Sequence, residues 1–284
     1  MKATRQVERV GFVIKPHAAE AKDVLGRLSE YFGEKGIECL YEDVAAVMLG
    51  SPARARRDDI PGLVDLVIVL GGDGTLLSIA HNAAVREIPV MGVNLGRLGF
   101  LTEVPVDEMI LTLDTFLSGD RSVLSPRRML TVNRGADVFH CLNDVVINKG
   151  ALARMIQVKI WIGGKEIAIL KADGLIVSTP TGSTAYSLSA GGPIIHPYIP
   201  ATIIAPICPH TLTFRPMVIT SDTEVKIQLL TELEEVYCTL DGQRGGLMGK
   251  SEVILVNKSD HSLNLISSPK RTYFDLLHEK LGWG

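Results

Sequence analysis

The sequence has 284 residues, 46% of them hydrophobic, which is about two ordinary domains of chain with ample apolar material for a core. No apolar run approaches the roughly 18 residues needed to cross a bilayer, and the polar start from Met1 to Gln6 has no signal-peptide core behind it, so a soluble cytoplasmic protein is expected, with no membrane partner. A net charge of −3 gives no general attraction for nucleic acid, and Cys39, Cys141, Cys208 and Cys238 lie far apart with no C-x-x-C pair, so neither a zinc knuckle nor a disulfide framework is indicated.

Val10 to Ile14 reads as a short apolar strand, and Ala19 to Lys35 carries Val24, Leu25, Leu28, Tyr31 and Phe32 at helical spacing, stopped by Gly36. Ile37 to Tyr41 is a second candidate strand, and Glu42 to Asp59 has no assignable pattern. Leu63 to Leu70 is a third strand, apolar enough to be buried on both faces. The turn Gly71-Gly72-Asp73-Gly74-Thr75 follows, then a helix from Thr75 and a strand from Ile88 to Val93. Alternating strands and helices predict a Rossmann-like α/β domain with a parallel sheet, whose ligands sit beyond the carboxyl ends of the strands, where Asp73 and Asn94 both fall.

Glycines let the main chain approach a ligand closely, and a helix N-terminus favours an anion, so phosphate is the natural guest of Gly71, Gly72, Gly74 and Thr75. An acidic residue in such a turn has two readings. Asp73 either caps the helix, or holds a metal or takes a proton from an attacking hydroxyl.

Asn94 to Leu101 forms a second glycine loop at the same place relative to its strand, and Val106 to Leu117 is helical in pattern. Near Gly119 to Pro126 the alternation ends. Beyond it, Leu130 to Val132, Val138 to Asn148, Met155 to Ile162, Glu166 to Leu170, Leu175 to Ser178, Glu224 to Leu230, Val236 to Leu240, Glu252 to Val256 and Ser262 to Ile266 read as strands without helical periodicity. The expected division is therefore 1–122 as the α/β domain and 123–268 as an all-β, sandwich-like domain, with an amphipathic helix from Thr272 to Leu281 placed to pack back on the first.

Two stretches of the β half are unusual. Asn143 and Asp144 interrupt an apolar run, which calls either for a ligand or for a backbone hydrogen-bond network. Ala172 to Ile194 is dense in hydroxyls and glycines and includes Tyr186, a surface suited to the sugar and base of a nucleotide.

The turn Gly71 to Thr75 resembles the signature shared by NAD kinases, diacylglycerol and sphingosine kinases, and phosphofructokinases. With the stretches around Asn143-Asp144 and Asp173 to Ser189, Pro209 to Pro216, and Asp241-Gly242-Gln243, the resemblance narrows to the NAD kinase family and covers nearly the whole chain. It implies transfer of the terminal phosphoryl group of ATP, with magnesium or another divalent cation, to the 2′-hydroxyl of NAD. Asp73 falls on the family's general base and Gly74 on a dinucleotide contact. Asn143, Asp144, Asp173 and the run Thr184, Ala185, Tyr186, Ser187, Leu188, Ser189 fall on NAD-binding positions, and Arg154, Lys171 and Gln243 fall near further contacts. No residue is assigned to a metal, and the resemblance implies a homo-oligomer, dimer or tetramer. The alternatives are a lipid kinase and a non-catalytic NADP-binding regulator, the latter favoured only had Asp73 been replaced.

Other motifs are decoys. Gly245 to Ser251 lacks the glycine spacing of a P-loop, and no G-x-G-x-x-G occurs, so NAD is expected as a substrate and not as a hydride carrier. The serines between Ser178 and Ser189 lack a G-x-S-x-G setting and read as hydrogen-bonding groups.

Overall fold

The computed structural model describes residues 6–16, 20–96, 98–150, 154–211, 213–231 and 235–283. Met1 to Arg5, Ala19, Arg97 and Leu212, which the sequence reading placed in the polar start, the first helix, the second glycine loop and the 209–216 stretch, lie outside the described residues. The chain forms two compact units, Met1–Pro126 with Ser262–Gly284, and Arg127–His261.

The first unit runs β1 (Arg9–Ile14), α1 (Ala21–Glu34), β2 (Glu38–Glu42), α2 (Asp43–Leu49), β3 (Arg54–Ala55), β4 (Leu66–Leu70), α3 (Asp73–Val85), β5 (Val90–Asn94), β6 (Val104–Pro105) and α4 (Met109–Leu117). Its strands lie in the order β3-β2-β1-β4-β5, each pair parallel. Every residue of β4 is buried, as an interior strand covered on both faces must be. Val24, Leu25, Leu28 and Phe32 of α1 share a core with Val10, Phe12 and Ile14 of β1, the rings of Phe12 and Phe32 meeting edge to face at 6.0 Å.

β7 (Leu124–Arg134) carries the chain into the second unit, which contains β8 (Asp137–Cys141), β9 (Asp144–Lys149), β10 (Ile156–Ile162), β11 (Lys165–Ala172), β12 (Gly174–Ser178) and the one-turn α5 (Tyr186–Ser189). It continues through β13 (Ala201–Ile207), β14 (Met217–Thr220), β15 (Val225–Leu229), β16 (Val236–Leu240), β17 (Arg244–Leu247) and β18 (Val253–Ile266). One antiparallel layer is β11-β10-β15 with the start of β18, and the other is β14-β13-β12-β9-β16-β17. Val158, Ile227 and Ile254 of the first layer and Val145, Ile147, Val177 and Cys238 of the second enter one core, which makes the unit a sandwich. The far end of β18 belongs to the first unit, where Leu265 and Ile266 pair with Val90 and Met91 of β5. After it comes α6 (Tyr273–Leu281), started by a capping box of Thr272 and Asp275.

The fold class is the one expected, an α/β unit with a parallel sheet and an antiparallel β-sandwich. The elements differ in places. Residues 42–59, left without assignment, hold α2 and β3. The expected strand 138–148 is two strands, broken at Leu142 and Asn143. β13 and β14 occupy 201–220, where the reading names no strand. β13 contains Pro206, a residue ordinarily confined to edges, and tolerates it because β14 pairs only with Ala201 to Ile204.

Candidate active site

In the first unit the glycine turn follows the carboxyl end of β4. Gly71 N–H donates to Val93 O at 3.0 Å and Lys15 N–H to Leu70 O at 2.8 Å, which ties the turn to β5 and β1. α3 begins at Asp73, two residues before its expected start, and its cap is Gly72, with no side-chain hydrogen bond. The capping role considered for Asp73 is therefore corrected. Its carboxylate reaches instead to the second glycine loop. Oδ1 accepts from Leu101 N–H at 3.0 Å, Thr102 N–H at 2.9 Å and Thr102 Oγ1 at 3.1 Å, and Oδ2 accepts from Phe100 N–H at 2.9 Å. A carboxylate has about four acceptor sites, two per oxygen, so Oδ1 is full and Oδ2 keeps one position for a further donor. A Cβ added at Gly72 or Gly74 would meet nothing within 4 Å, so there is space beside both glycines.

Two further contacts hold the surroundings of this turn. Glu42, buried at the end of β2, accepts from Ile14 N–H at 2.6 Å and from Arg57 at 2.6 and 2.9 Å, while Arg57 Nη2 donates to Ile14 O at 2.9 Å. This half-buried ion pair fixes the end of β1, one residue before Lys15, whose Cβ lies against Gly71. Lys280 of α6 donates to Leu98 O at 2.6 Å and pins the second glycine loop from its other side.

The second unit holds a cleft of about 300 Å³, lined by Asn143, Asp144, Val146 and Asn148 of the β9 strand and its approach, Ala185 and Tyr186 at the start of α5, and Thr239, Asp241 and Gly242 after and within β16. That volume is at the low end of the roughly 300–1,000 Å³ of small-molecule sites. Asp241, in the left-handed region at φ 51°, accepts from three successive amides, Leu142 at 2.8 Å, Asn143 at 2.6 Å and Asp144 at 3.2 Å. The backbone network considered for Asn143 and Asp144 thus exists, but main chain and Asp241 build it. Among the described residues the side-chain amide of Asn143 has no hydrogen bond inside the protein.

The hydroxyl-rich stretch divides into two groups. Ser178 Oγ donates to Asn143 O, Thr179 Oγ1 to Leu142 O, Thr184 Oγ1 to Thr181 O, and Ser183 Oγ bonds both N–H and C=O of Ile195. These hydroxyls stitch the chain to itself. Ala185 and Tyr186 alone of the run 184–189 line the cleft. Asp173 is half-buried and paired with Lys149 at 3.1 Å, and Arg154, Lys171 and Gln243 are exposed, none of them on the cleft wall. Val146, Asn148 and Thr239 were not anticipated as wall residues, although Asn148 stands four residues beyond Asp144 on one strand, where the period of two places both on the same face.

Asp144 is buried, and burial first, then the neighbouring Asp241 carboxylate, push its carboxyl up to about 7, against a smaller opposing effect of the Tyr186 N–H. An acid raised on folding keeps its proton in the folded protein where the unfolded chain has lost it. Its contribution to stability therefore falls as pH rises from the ordinary carboxyl value of 3.8 to about 7 and is constant above. Asp144→Asn should accordingly gain on the parent by about 3 kcal/mol between pH 5 and pH 8 in urea unfolding. An equal difference at the two pH values would contradict the assignment.

Two wider clefts, of about 720 and 1100 Å³, lie at the amino ends of the first unit's strands, lined by Arg9, Glu38, Asp65 and Arg86 and by Lys35, Asp114 and Phe116. Ligands of parallel sheets bind beyond the opposite ends, so size does not make these the site.

A carboxylate with one open acceptor position, at a glycine turn that opens a helix, is equipment that fits a phosphotransferase acting on a hydroxyl. Relatives specify the kind. The family model for the ATP-NAD kinase N-terminal domain matches residues 10–121 and that for the ATP-NAD kinase C-terminal domain matches 142–268. The chain belongs to the NAD kinase family. It is 44% identical to the NAD kinase of Geotalea daltonii and 46% identical to that of Geobacter metallireducens, each over 98% of this chain and 99% of the relative. Among solved structures it resembles yeast NADH kinase complexed with NADH, with a TM-score of 0.88 at 25% identity over 99% of this chain and 89% of that one. An NAD kinase from Archaeoglobus fulgidus in complex with ATP shares the fold, with a TM-score of 0.80 at 24% identity over 97% of this chain and all of that one.

Proposed function

We propose that this chain transfers the terminal phosphoryl group of ATP to the 2′-hydroxyl of the adenosine ribose of NAD and yields NADP, with Asp73 as the acceptor of the hydroxyl proton. The observation that carries the reading is the open acceptor position on Asp73 Oδ2, on a residue flanked by two glycines at which a Cβ would meet nothing within 4 Å. Gly71, Gly72, Gly74 and Thr75 surround the phosphates. Asn143, Asp144, Ala185 and Tyr186 hold a nucleoside of the dinucleotide, while Arg154, Lys171, Asp173, Thr184, Ser187, Leu188, Ser189 and Gln243 take their NAD-binding roles from the family pattern. Phosphoryl transfer of this kind depends on alignment and charge neutralisation more than on covalent chemistry.

Among the described residues no group of three or more His, Cys, Asp or Glu is arranged to hold a metal ion. Magnesium fits as a cation carried by the ATP phosphates, where it neutralises their charge. A lipid acceptor is not favoured, because the family models and the relatives that match over nearly the whole chain are those of NAD kinases. Among the described residues no helix is long and apolar enough to cross a membrane, and all four cysteines are free, which suits a cytoplasmic enzyme. The edge strand β11 exposes Ile167 and Ile169 on one face, an apolar stripe that supports a homo-oligomer and is tested by light scattering. The deciding assay is the purified protein with NAD, ATP and magnesium, read by NADP formed. Absence of NADP, or faster phosphorylation of diacylglycerol, would overturn the proposal.

A further inference from the structure

We infer that Asn148 is a further specificity-determining residue of the sandwich cleft, its side-chain oxygen accepting a hydrogen bond from an amino group of the bound dinucleotide. The inference rests on the NAD reading above and extends it to a residue outside the family motifs.

The strand geometry comes first. Along β9, residues two apart point to one face, so Asp144, Val146 and Asn148 form a row about 14 Å long, at about 3.4 Å per residue. All three line the same cleft, with Tyr186 and Thr239 beside them. Asp144 terminates the row with a carboxylate, and Asn148 ends it at the other side with an amide.

The hydrogen-bond inventory comes second. Asn148 Oδ1 is closed to solvent and, among the described residues, receives no donor. Its neighbours cannot supply one. Asn148 stands opposite Gly174 on β12, which has no side chain, and opposite Tyr237 on β16, whose hydroxyl donates to Glu235 at 3.2 Å. Lys149, the next residue, points to the other face and pairs with Asp173 at 3.1 Å. The Thr181 and Ser187 hydroxyls are likewise closed off without partners, yet neither residue lines the cleft, so of these three Asn148 alone belongs to the cleft wall. Buried polar atoms in folded proteins are ordinarily satisfied, and one left without a partner beside a cleft points to a group that arrives with the ligand.

The chemistry of the missing partner follows from the atom. An amide oxygen accepts and carries no full charge, so it recognises a neutral donor and gains nothing from phosphate. NAD offers two amino groups, on the adenine ring and on the nicotinamide carboxamide. A site built to hydrogen-bond a donor rejects the analogue that lacks it, because the buried acceptor is then left unpaired.

The test compares the full-length parent with Asn148→Leu and Asn148→Asp. NAD and ATP affinities are measured by titration calorimetry, NADP formation is measured separately, and thermal unfolding is followed without ligand. Removing an orphaned acceptor should leave the melting temperature of the free protein unchanged or raised. The same Asn148→Leu change should weaken NAD binding about tenfold, with ATP binding within a factor of two of the parent. Asn148→Asp, which keeps the oxygen, should restore most of the loss. Nicotinamide hypoxanthine dinucleotide lacks the adenine amino group, and nicotinic acid adenine dinucleotide lacks the carboxamide one. The analogue missing the contacted group should bind the parent and Asn148→Leu equally, and the other should repeat the tenfold loss. Three results would overturn the inference: unchanged NAD affinity, a lowered melting temperature with NAD and ATP weakened together, or a full loss with both analogues. A parent that binds NAD without forming NADP would defeat the kinase reading instead and leave the Asn148 comparison standing.

Discussion

Asp73→Asn is expected to lower turnover with NAD and ATP by about 10²-fold or more, the usual consequence of removing a positioned proton acceptor. The geometry also says what else the substitution disturbs. An asparagine oxygen can take the place of Oδ1 toward Leu101 and Thr102, but its amino group then meets Phe100 N–H, donor against donor. Losing that one bond should loosen the second glycine loop by about 1–3 kcal/mol. Turnover must therefore be read beside the rise in melting temperature that NAD produces. A variant that still gains stability from NAD but makes little NADP identifies the proton transfer as the lost function. Near-parental turnover would remove Asp73 from the chemistry.

Gly99→Ala is expected to fall nearly as far, about 10- to 100-fold, with every ionisable group intact. A Cβ at position 99 would lie 2.8 Å from Asp73 Cγ and 2.5 Å from Thr102 Oγ1, and would overlap Asp73 Oδ1 outright. The carboxylate must turn away or the loop must shift, and displacements of about 1 Å at a reacting group cost about 10²-fold. Gly96→Ala in the same loop is the control, because its Cβ would meet nothing within 4 Å. Parental activity in Gly99→Ala, or equal losses in both variants, would show that the loop does not position Asp73.

Much of the fold could be read in the sequence because its signals are periodic. The run Leu66 to Leu70 and the spacing of Val24, Leu25, Leu28 and Phe32 declare a buried strand and an amphipathic helix without reference to the rest of the chain. α2 declared nothing, since it is seven residues long and buries Ala45 and Ala46 while leaving Val44 and Val47 exposed. The site was partly legible for a related reason. Asn143 and Asp144 stand out as polar residues that interrupt an apolar run, and Asp73 as an acid in a glycine turn. The hydroxyls of Ser178, Thr179 and Ser183 look identical in sequence to ligand-facing ones, and only their buried bonds to Asn143, Leu142 and Ile195 reveal a structural task. Nor could composition show that Asp241, distant by nearly a hundred positions, would seat the amides of Leu142, Asn143 and Asp144.

Asp73 and Asp241 use one device in two places. Each seats three consecutive main-chain N–H groups on a resident anion, Phe100 to Thr102 in the first unit and Leu142 to Asp144 in the second. A nest already filled by its own carboxylate cannot capture a phosphate, so an anion approaching either segment finds the N–H groups occupied. The entropy of ordering both segments is lost during folding, before any substrate arrives, and none of it is subtracted from the affinity for a dinucleotide.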